Sequence, residues 1–138
     1  MGLLHKNAKV ELISRVPLFE RCSKRELAQV ASLADELDLR EGKVLTKEGE
    51  RGREFFVLLE GTADVRRKGR TIRRLGPSDF FGEIALVSNV PRTATVVATS
   101  PVRTLVVTDR GFRDLLGRSP AIQLKVLEAL AERVGSDI

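Results

Sequence analysis

Residues 79–97 read DFFGEIALVSNVPRTATVV, and this stretch decides how the rest of the chain is interpreted. Gly82 lets the backbone come close to another group, and the four residues after it can form one helical turn. The free N–H groups at the start of such a turn make an anion site. Ten residues after Gly82 comes Arg92, whose charged planar side chain suits a phosphate diester. The stretch therefore predicts a site for a small phosphorylated ligand.

The whole chain has the composition of one globular domain. It has 138 residues, of which 42% are hydrophobic and 31% charged, which is long enough to bury one core. No apolar run approaches the roughly 20 residues of a transmembrane helix, and the first residues lack a signal-peptide core, so we expect no membrane insertion. The single cysteine, Cys22, excludes an internal disulfide and favours a cytoplasmic location.

The sequence offers few groups for catalysis or for holding a metal. The one histidine, His5, cannot form a hydrolase triad, and there is no His/Cys cluster at zinc spacing. One cysteine and one histidine also disfavour an iron–sulfur or haem sensor. We therefore expect a protein that is not an enzyme and has no metal or cofactor.

The net charge of +5 indicates attraction to anions. The positively charged residues are densest in Arg66–Arg74. We interpret this run as a solvated hairpin tip and not as a functional basic patch. A nucleic-acid reader would add a recognition helix or stacking aromatic residues, and neither is evident. The sequence therefore does not favour a nucleic-acid partner.

Helical patterns lie at both ends of the chain and flank a region of short strands. The N-terminal helices are expected at about residues 3–36, where Ser23 and Glu26 have the spacing of a capping box. Between about residues 37 and 108, seven glycines punctuate short apolar or alternating runs that are typical of strands. C-terminal helices are expected at about residues 109–134.

Many short strands without intervening helices favour a closed barrel or jelly roll over a parallel α/β sheet. We therefore expect residues 1–138 to form a single, mainly β domain. The last helix carries a broad apolar stripe that includes Val126, Leu127 and Leu130. It could cover the barrel, cover a ligand, or pair with a second copy of the chain.

Two short motifs, Phe81-Gly82-Glu83-Ile84-Ala85-Leu86 and Pro91-Arg92-Thr93-Ala94-Thr95-Val96, resemble the phosphate-binding cassette of cyclic-nucleotide-binding domains. The cassette spans about residues 80–97, and the likeness extends over essentially the full chain. It implies a jelly roll, or double-stranded β-helix, of about eight strands flanked by N-terminal and C-terminal α-helices. The ligand it implies is cAMP or cGMP.

The resemblance also assigns a role to each residue of the cassette. Arg92 would grip the exocyclic oxygens of the cyclic phosphate. Glu83 would accept a hydrogen bond from the ribose 2′-hydroxyl. The backbone N–H groups of Ile84 and Ala85 would point at the phosphate, and Gly82 would permit close approach.

The sequence leaves the roles of Thr93 and Arg92 open. Thr93 could contact the phosphate or the 2-amino group of a guanine, as the resemblance implies, or it could simply be a good strand former. Arg92 could instead be a structural ion-pair partner of Glu83. Neither residue decides between cAMP and cGMP.

We interpret the chain as a stand-alone cyclic-nucleotide-binding regulatory module that couples ligand binding to movement of its C-terminal helices. Its output would come from a separate effector protein, from a homodimer through the last helix, or from a part of the protein outside these 138 residues. The alternatives are a ligand-independent interaction module on the same fold, and the sensor part of a transcription regulator with a basic surface facing nucleic acid.

Overall fold

The computed structural model describes residues 6–83 and 90–136, and within them it contains eight strands in two antiparallel sheets. The elements follow one another in the order α1 (Lys6–Ser14), a 3-10 helix (Pro17–Phe19), α2 (Lys24–Leu33), β1 (Ala34–Leu39), β2 (Val44–Thr46), β3 (Glu54–Glu60), β4 (Ala63–Arg67), β5 (Arg70–Leu75), β6 (Phe80–Phe81), β7 (Thr95–Ala98), β8 (Val102–Thr108), α3 (Asp109–Arg118) and α4 (Pro120–Ser136).

The two sheets have the strand orders β1-β8-β3-β6 and β2-β7-β4-β5. Apart from β4 and β5, neighbouring strands come from separate parts of the chain, as expected of a jelly roll, in which two packed sheets share crossing connections. Helices lie on both sides of the strand region in the sequence. The predicted mainly β fold, with about eight strands and flanking helices, is therefore confirmed.

Strand β3 explains how the helices and the two sheets share one structure. Phe55 and Val57 belong to the core formed with the helices, whereas Phe56 and Leu58 belong to the core between the sheets. Successive strand residues point to opposite faces, so a strand buried on both faces must be continuously apolar. This is why residues 55–58 show no alternation of apolar and polar side chains.

The boundary between the N-terminal helices and the barrel differs from the expected one near residue 36. Helix α2 ends at Leu33, and β1 begins at the next residue, Ala34. Six consecutive residues of β1 pair with β8, from Ala34 opposite Val107 to Leu39 opposite Val102. Pairing with a distant strand overrides the local helical preference of this acidic and apolar run.

The basic run lies in the β4–β5 hairpin, as the sequence predicts. Lys68 and Gly69 form its tip, with φ values of 53° and 77°. Two successive residues with positive φ make the tight turn that matches the twist of paired strands. The cationic side chains on both sides of the tip are mostly exposed.

One carboxylate connects the N-terminal helices to the C-terminal helices. Ser23 and Glu26 form the predicted capping box of α2. Glu26 also accepts a hydrogen bond from the hydroxyl of Ser119, and this hydroxyl in turn accepts a bond from the N–H of Ile122 at the start of α4, at 3.3 Å. Glu26 thus stabilises the first turns of two helices that are far apart in the sequence.

Candidate functional site

The glycine of the cassette lies at the end of a short strand that is held against β3. Phe81 of β6 pairs with Phe56 of β3, and their rings stack with centroids 4.8 Å apart. Gly82 follows with φ +97°, and a Cβ at this position would lie 2.8 Å from the carbonyl oxygen of Glu54. Both the conformation and the close approach require glycine here.

Arg92 is brought against this glycine although it lies ten residues further along the chain. Its side chain donates from Nη1 to the carbonyl oxygen of Gly82 at 3.1 Å and from Nη2 to that of Glu54 at 2.7 Å. Arg92 is only 7% exposed. The guanidinium therefore lies below the surface, between the end of β6 and the start of β3.

The backbone of Arg92 is held separately by the loop that precedes β3. The N–H of Arg92 donates to the carbonyl oxygen of Glu50 at 2.8 Å, and its own carbonyl accepts from the N–H of Gly49 at 2.9 Å. Both ends of the side chain are thus anchored by backbone groups. Such anchoring fixes the direction of the guanidinium before any ligand arrives.

A second glycine, Gly52, packs directly against the guanidinium. A Cβ at residue 52 would lie 2.6 Å from both Cζ and Nε of Arg92, well inside van der Waals contact. Gly52 and Gly82 thus both border the Arg92 side chain, and we call this arrangement the arginine cradle. The sequence predicts only a turn at Gly52, because a contact across forty residues leaves no local pattern.

The charge of Arg92 has no carboxylate partner within ion-pair distance among the described residues. The described residues therefore give no support to the alternative in which Arg92 is a structural ion-pair partner. Burial lowers the pKa of the Arg92 guanidinium, while the nearby Glu54 carboxylate acts in the opposite direction. Removing a charge from water costs several kcal/mol unless a counter-charge is present, so an anion bound next to Arg92 would offset part of this cost.

The guanidinium also has donors to offer. It carries five N–H groups, and the part of the chain that the structure describes accepts two hydrogen bonds from them. An entering anion would supply a counter-charge and further acceptors at the same time. Charge-assisted bonds of this kind are roughly twice as strong as neutral ones.

The other predicted site residues differ in their placement. Glu83 follows Gly82 directly and is completely buried. Thr93 is exposed, and its carbonyl oxygen accepts a hydrogen bond from Nε of Arg67 at 3.1 Å. Ile84 and Ala85, whose N–H groups are expected to face the phosphate, lie outside the described residues.

Neither a membrane span nor a metal centre is found in the described part of the chain. Within residues 6–83 and 90–136, no helix is both long and apolar enough to cross a bilayer. The same residues contain no group of three or more His, Cys, Asp or Glu side chains that could hold a metal ion.

Comparison with known proteins places this geometry in context. A family model described as "Cyclic nucleotide-binding domain" matches residues 36–119. The cAMP-dependent protein kinase regulatory subunit of Mycosarcoma maydis is 45% identical over 114 residues, which cover 74% of this chain and 21% of the relative. The chain therefore spans about a fifth of the length of this curated relative.

Solved structures give the same result for the fold. A structure of "PKAR CBD2" bound to Sp-2Cl-cAMPS has a TM-score of 0.82 and 27% identity, covering 95% of this chain and 90% of that one. The regulatory subunit of a cAMP-independent protein kinase A from Trypanosoma cruzi, bound to guanosine, has a TM-score of 0.81 and 26% identity, covering 92% and 46%. Similar folds thus occur in one structure with a cyclic-nucleotide analogue and in another with a nucleoside.

Proposed function

Because the chain belongs to the cyclic nucleotide-binding domain family, we propose that it is a cytoplasmic regulatory module that binds cAMP or cGMP. The observation that supports this most directly is the buried charge of Arg92. Its partners among the described residues are backbone carbonyls, and a cyclic phosphate carries the single negative charge that would balance it. The chain's relationship to a kinase regulatory subunit supports a binding role rather than a catalytic one.

Each cassette residue has a part in this proposal. Arg92 binds the exocyclic phosphate oxygens with its fork of donors. The backbone N–H groups of Ile84 and Ala85 point at the phosphate, and Gly82 allows the ligand to approach. Glu83 accepts a hydrogen bond from the ribose 2′-hydroxyl; because it is completely buried, its carboxylate has to become accessible as the ligand enters.

Thr93 is the residue next to Arg92 that can reach a ligand from the outside. Its side chain is exposed, so its hydroxyl is available to a phosphate oxygen or to the 2-amino group of guanine. We propose this contact as the one that distinguishes cGMP from cAMP at this end of the site.

A continuous set of contacts links the cradle to the C-terminal helices. Arg92 binds the carbonyl of Glu54, and the next residue, Phe55, stacks on Phe112 of α3 with ring centroids 4.4 Å apart. Phe55 also contacts Phe80 of β6, with centroids 5.6 Å apart. A ligand that shifts β6 or Arg92 would therefore change the packing of α3, provided that its contacts differ between the two arrangements.

The output of such a movement requires a further surface. Leu124 and Leu127 of α4 are 44% and 63% exposed, and they lie three residues apart on one side of the helix. We propose that α4 carries the signal to an effector protein or to a second copy of the chain.

A second candidate is a module that binds a nucleoside without a phosphate. The observation in its favour is the similarity to the guanosine-bound regulatory subunit from Trypanosoma cruzi. In that case the charge of Arg92 would contribute little to affinity. The two candidates therefore make different predictions for the ligand affinity of a variant without Arg92.

Titration calorimetry with cAMP, cGMP and guanosine tests both candidates. In Arg92→Ala we expect cyclic nucleotide affinity to fall on the order of 100-fold or more, since two charge-assisted hydrogen bonds are lost at roughly 1.5 to 3 kcal/mol each. Arg103→Ala, which removes another arginine far from the cassette, should bind as the parent does.

Three results would contradict the cyclic nucleotide proposal. The first is the absence of both heat and a shift in Tm at millimolar cAMP and cGMP, which would favour a ligand-independent interaction module. The second is unchanged affinity in Arg92→Ala. The third is guanosine binding as tightly as cGMP, which would favour the nucleoside candidate.

A further inference from the structure

The β4–β5 hairpin concentrates positive charge on an exposed part of the molecule. We call residues 63–75 the basic hairpin. Its one carboxylate is Asp64, and the six cationic side chains are Arg66, Arg67, Lys68, Arg70, Arg73 and Arg74. The surplus of positive charge within these thirteen residues equals the net charge of the whole chain, +5.

Some of these cations are already engaged, and others are not. Asp64 pairs with Nε of Arg74 at 3.1 Å and lies 3.9 Å from Nη2 of Arg66. Arg67 donates to the carbonyl of Thr93. Arg70 and Arg73 are exposed and form no ion pair with the described residues. Their charges are therefore available to a partner.

The strand that carries these two arginines lies at the edge of its sheet. The order β2-β7-β4-β5 leaves the outer side of β5 without a partner strand in the described part of the chain. Five of its six residues are exposed, and Ile72, between the arginines, is 51% exposed. An edge strand of this kind presents backbone N–H and C=O groups to solvent.

We propose that the outer edge of β5 docks an extended acidic segment of a partner protein, which adds to the sheet as a further strand. Backbone hydrogen bonds to β5 would provide the part of the affinity that does not depend on the side chains of the segment. Acidic side chains of the segment would lie near Arg70 and Arg73, and an apolar residue would cover Ile72. Arg70, Ile72 and Arg73 are not among the residues proposed to bind the nucleotide, so this surface can be tested separately.

The positive charges of β5 also disfavour pairing between the β5 edges of two copies of the chain. Charged edge strands are a common protection against aggregation, because like charges repel when two identical edges meet. The same charges attract an acidic strand. The edge is thus selective for partner charge.

Other anionic partners fit the basic hairpin less well. Residues 63–75 contain no aromatic side chain on which a base could stack, and Asp64 places a carboxylate among the arginines. The tip, Lys68 and Gly69, has no large apolar group to enter a lipid surface. An edge strand, in contrast, offers backbone groups that a peptide can pair with.

A labelled peptide of alternating glutamate and valine residues is a suitable probe for fluorescence anisotropy with the full chain. We expect it to bind, and to bind more weakly as salt is added. The double variant Arg70→Glu with Arg73→Glu should lower the affinity at least about tenfold. Arg110→Glu with Arg113→Glu makes the same change of net charge at exposed positions of α3 and should leave it unchanged.

Amide hydrogen exchange then tests strand addition itself. The peptide should slow exchange at outward-facing amides within residues 71–74, and a peptide N-methylated at alternate positions should bind more weakly. Equal affinity of the Arg70/Arg73 variant, or no slowing of exchange at β5, would overturn the proposal. Tighter binding of duplex DNA, or of vesicles containing phosphatidylserine, than of the peptide would overturn it as well.

Discussion

Arg92 and Arg103 are two arginines of one barrel whose charges are balanced in opposite ways. Arg103 lies on β8 directly opposite Asp38 of β1 and Glu60 of β3. Its Nε is 3.0 Å from Asp38 and 3.1 Å from Glu36, and its Nη1 is 3.5 Å from Glu60. Arg92 instead donates to two backbone carbonyls.

The pKa values of the two guanidinium groups follow this difference. The hydrogen bond and charge of Asp38, together with Glu60 and Glu36, raise the pKa of Arg103. Burial lowers the pKa of Arg92. The charge of Arg103 is thus already balanced by carboxylates, whereas the described hydrogen-bond partners of Arg92 are carbonyls, which is the arrangement expected of the proposed anion site.

After substitution of Arg92 itself, substitution of Gly52 is expected to have the largest effect that involves Arg92 and leaves Arg103 unchanged. In Gly52→Ala the new Cβ, 2.6 Å from Cζ and Nε of Arg92, forces the guanidinium to move, so we expect cyclic nucleotide affinity to fall about tenfold. The displaced side chain is flexible, and Tm should change little. Calorimetry and thermal unfolding measure the two effects.

Gly76→Ala is the matched control for this variant, because a Cβ at Gly76 would meet nothing within 4 Å. It should change neither affinity nor Tm appreciably. If Gly52→Ala binds cyclic nucleotide as tightly as Gly76→Ala, the arginine cradle does not position the ligand.

Removing the other arginine should affect stability and leave binding alone. In Arg103→Ala the carboxylates of Glu36, Asp38 and Glu60 remain close together without their cation, so we expect a lower Tm at low salt and a smaller difference at high salt. Adding Glu36→Gln should restore part of the loss. Thermal unfolding of both variants, with calorimetry for ligand binding, provides the measurement. A changed nucleotide affinity in Arg103→Ala would mean that the two arginines are coupled.

Glu26 is a carboxylate whose hydrogen bonds should make a smaller, pH-dependent contribution to stability. Its hydrogen bonds from Ser119 and Ser23 lower its pKa from the ordinary value of 4.5. A carboxyl whose pKa is lower in the folded state stabilises the fold above about pH 4.5, and this contribution is lost as the pH falls through the folded-state value. Stability should therefore decrease in acid.

Glu26→Gln isolates this contribution, because glutamine can still act in a capping box. The variant should lose stability less steeply than the parent below pH 4.5 in denaturant titrations. Glu20, whose pKa is also lowered by its hydrogen bond and charge interaction with Lys125, leaves a common background in both proteins. Identical pH profiles would show that Glu26 is not the group responsible.

Local patterns accounted for much of the fold. The capping box at Ser23, the hairpin around Gly69 and the strand Val102–Thr108 were all predictable, because each depends on residues close together in sequence. Strand β1 was not, since residues 34–36 become a strand only by pairing with β8, about seventy residues away. The two-residue strand β6 is likewise too short to have a pattern of its own.

The candidate site divides in the same way. The spacing of Gly82 and Arg92 is local enough to be recognised in the sequence. The carbonyl of Glu54 and the contact with Gly52 could not be read from it, because any backbone offers carbonyls and any glycine can mark a turn. Their roles come from the folding of the loop before β3 against Arg92.

The sequence by itself determined the mainly β class, the order of helices and strands, and the pairing of a glycine with an arginine in one cassette. Only the tertiary structure decided which arginine meets carboxylates and which meets backbone carbonyls. Arg92 and Arg103 carry the same side chain, and nothing in their immediate sequence states which will meet carboxylates. The sheet places three acids around Arg103 and backbone carbonyls around Arg92, and the free energy of a buried charge depends on those neighbours.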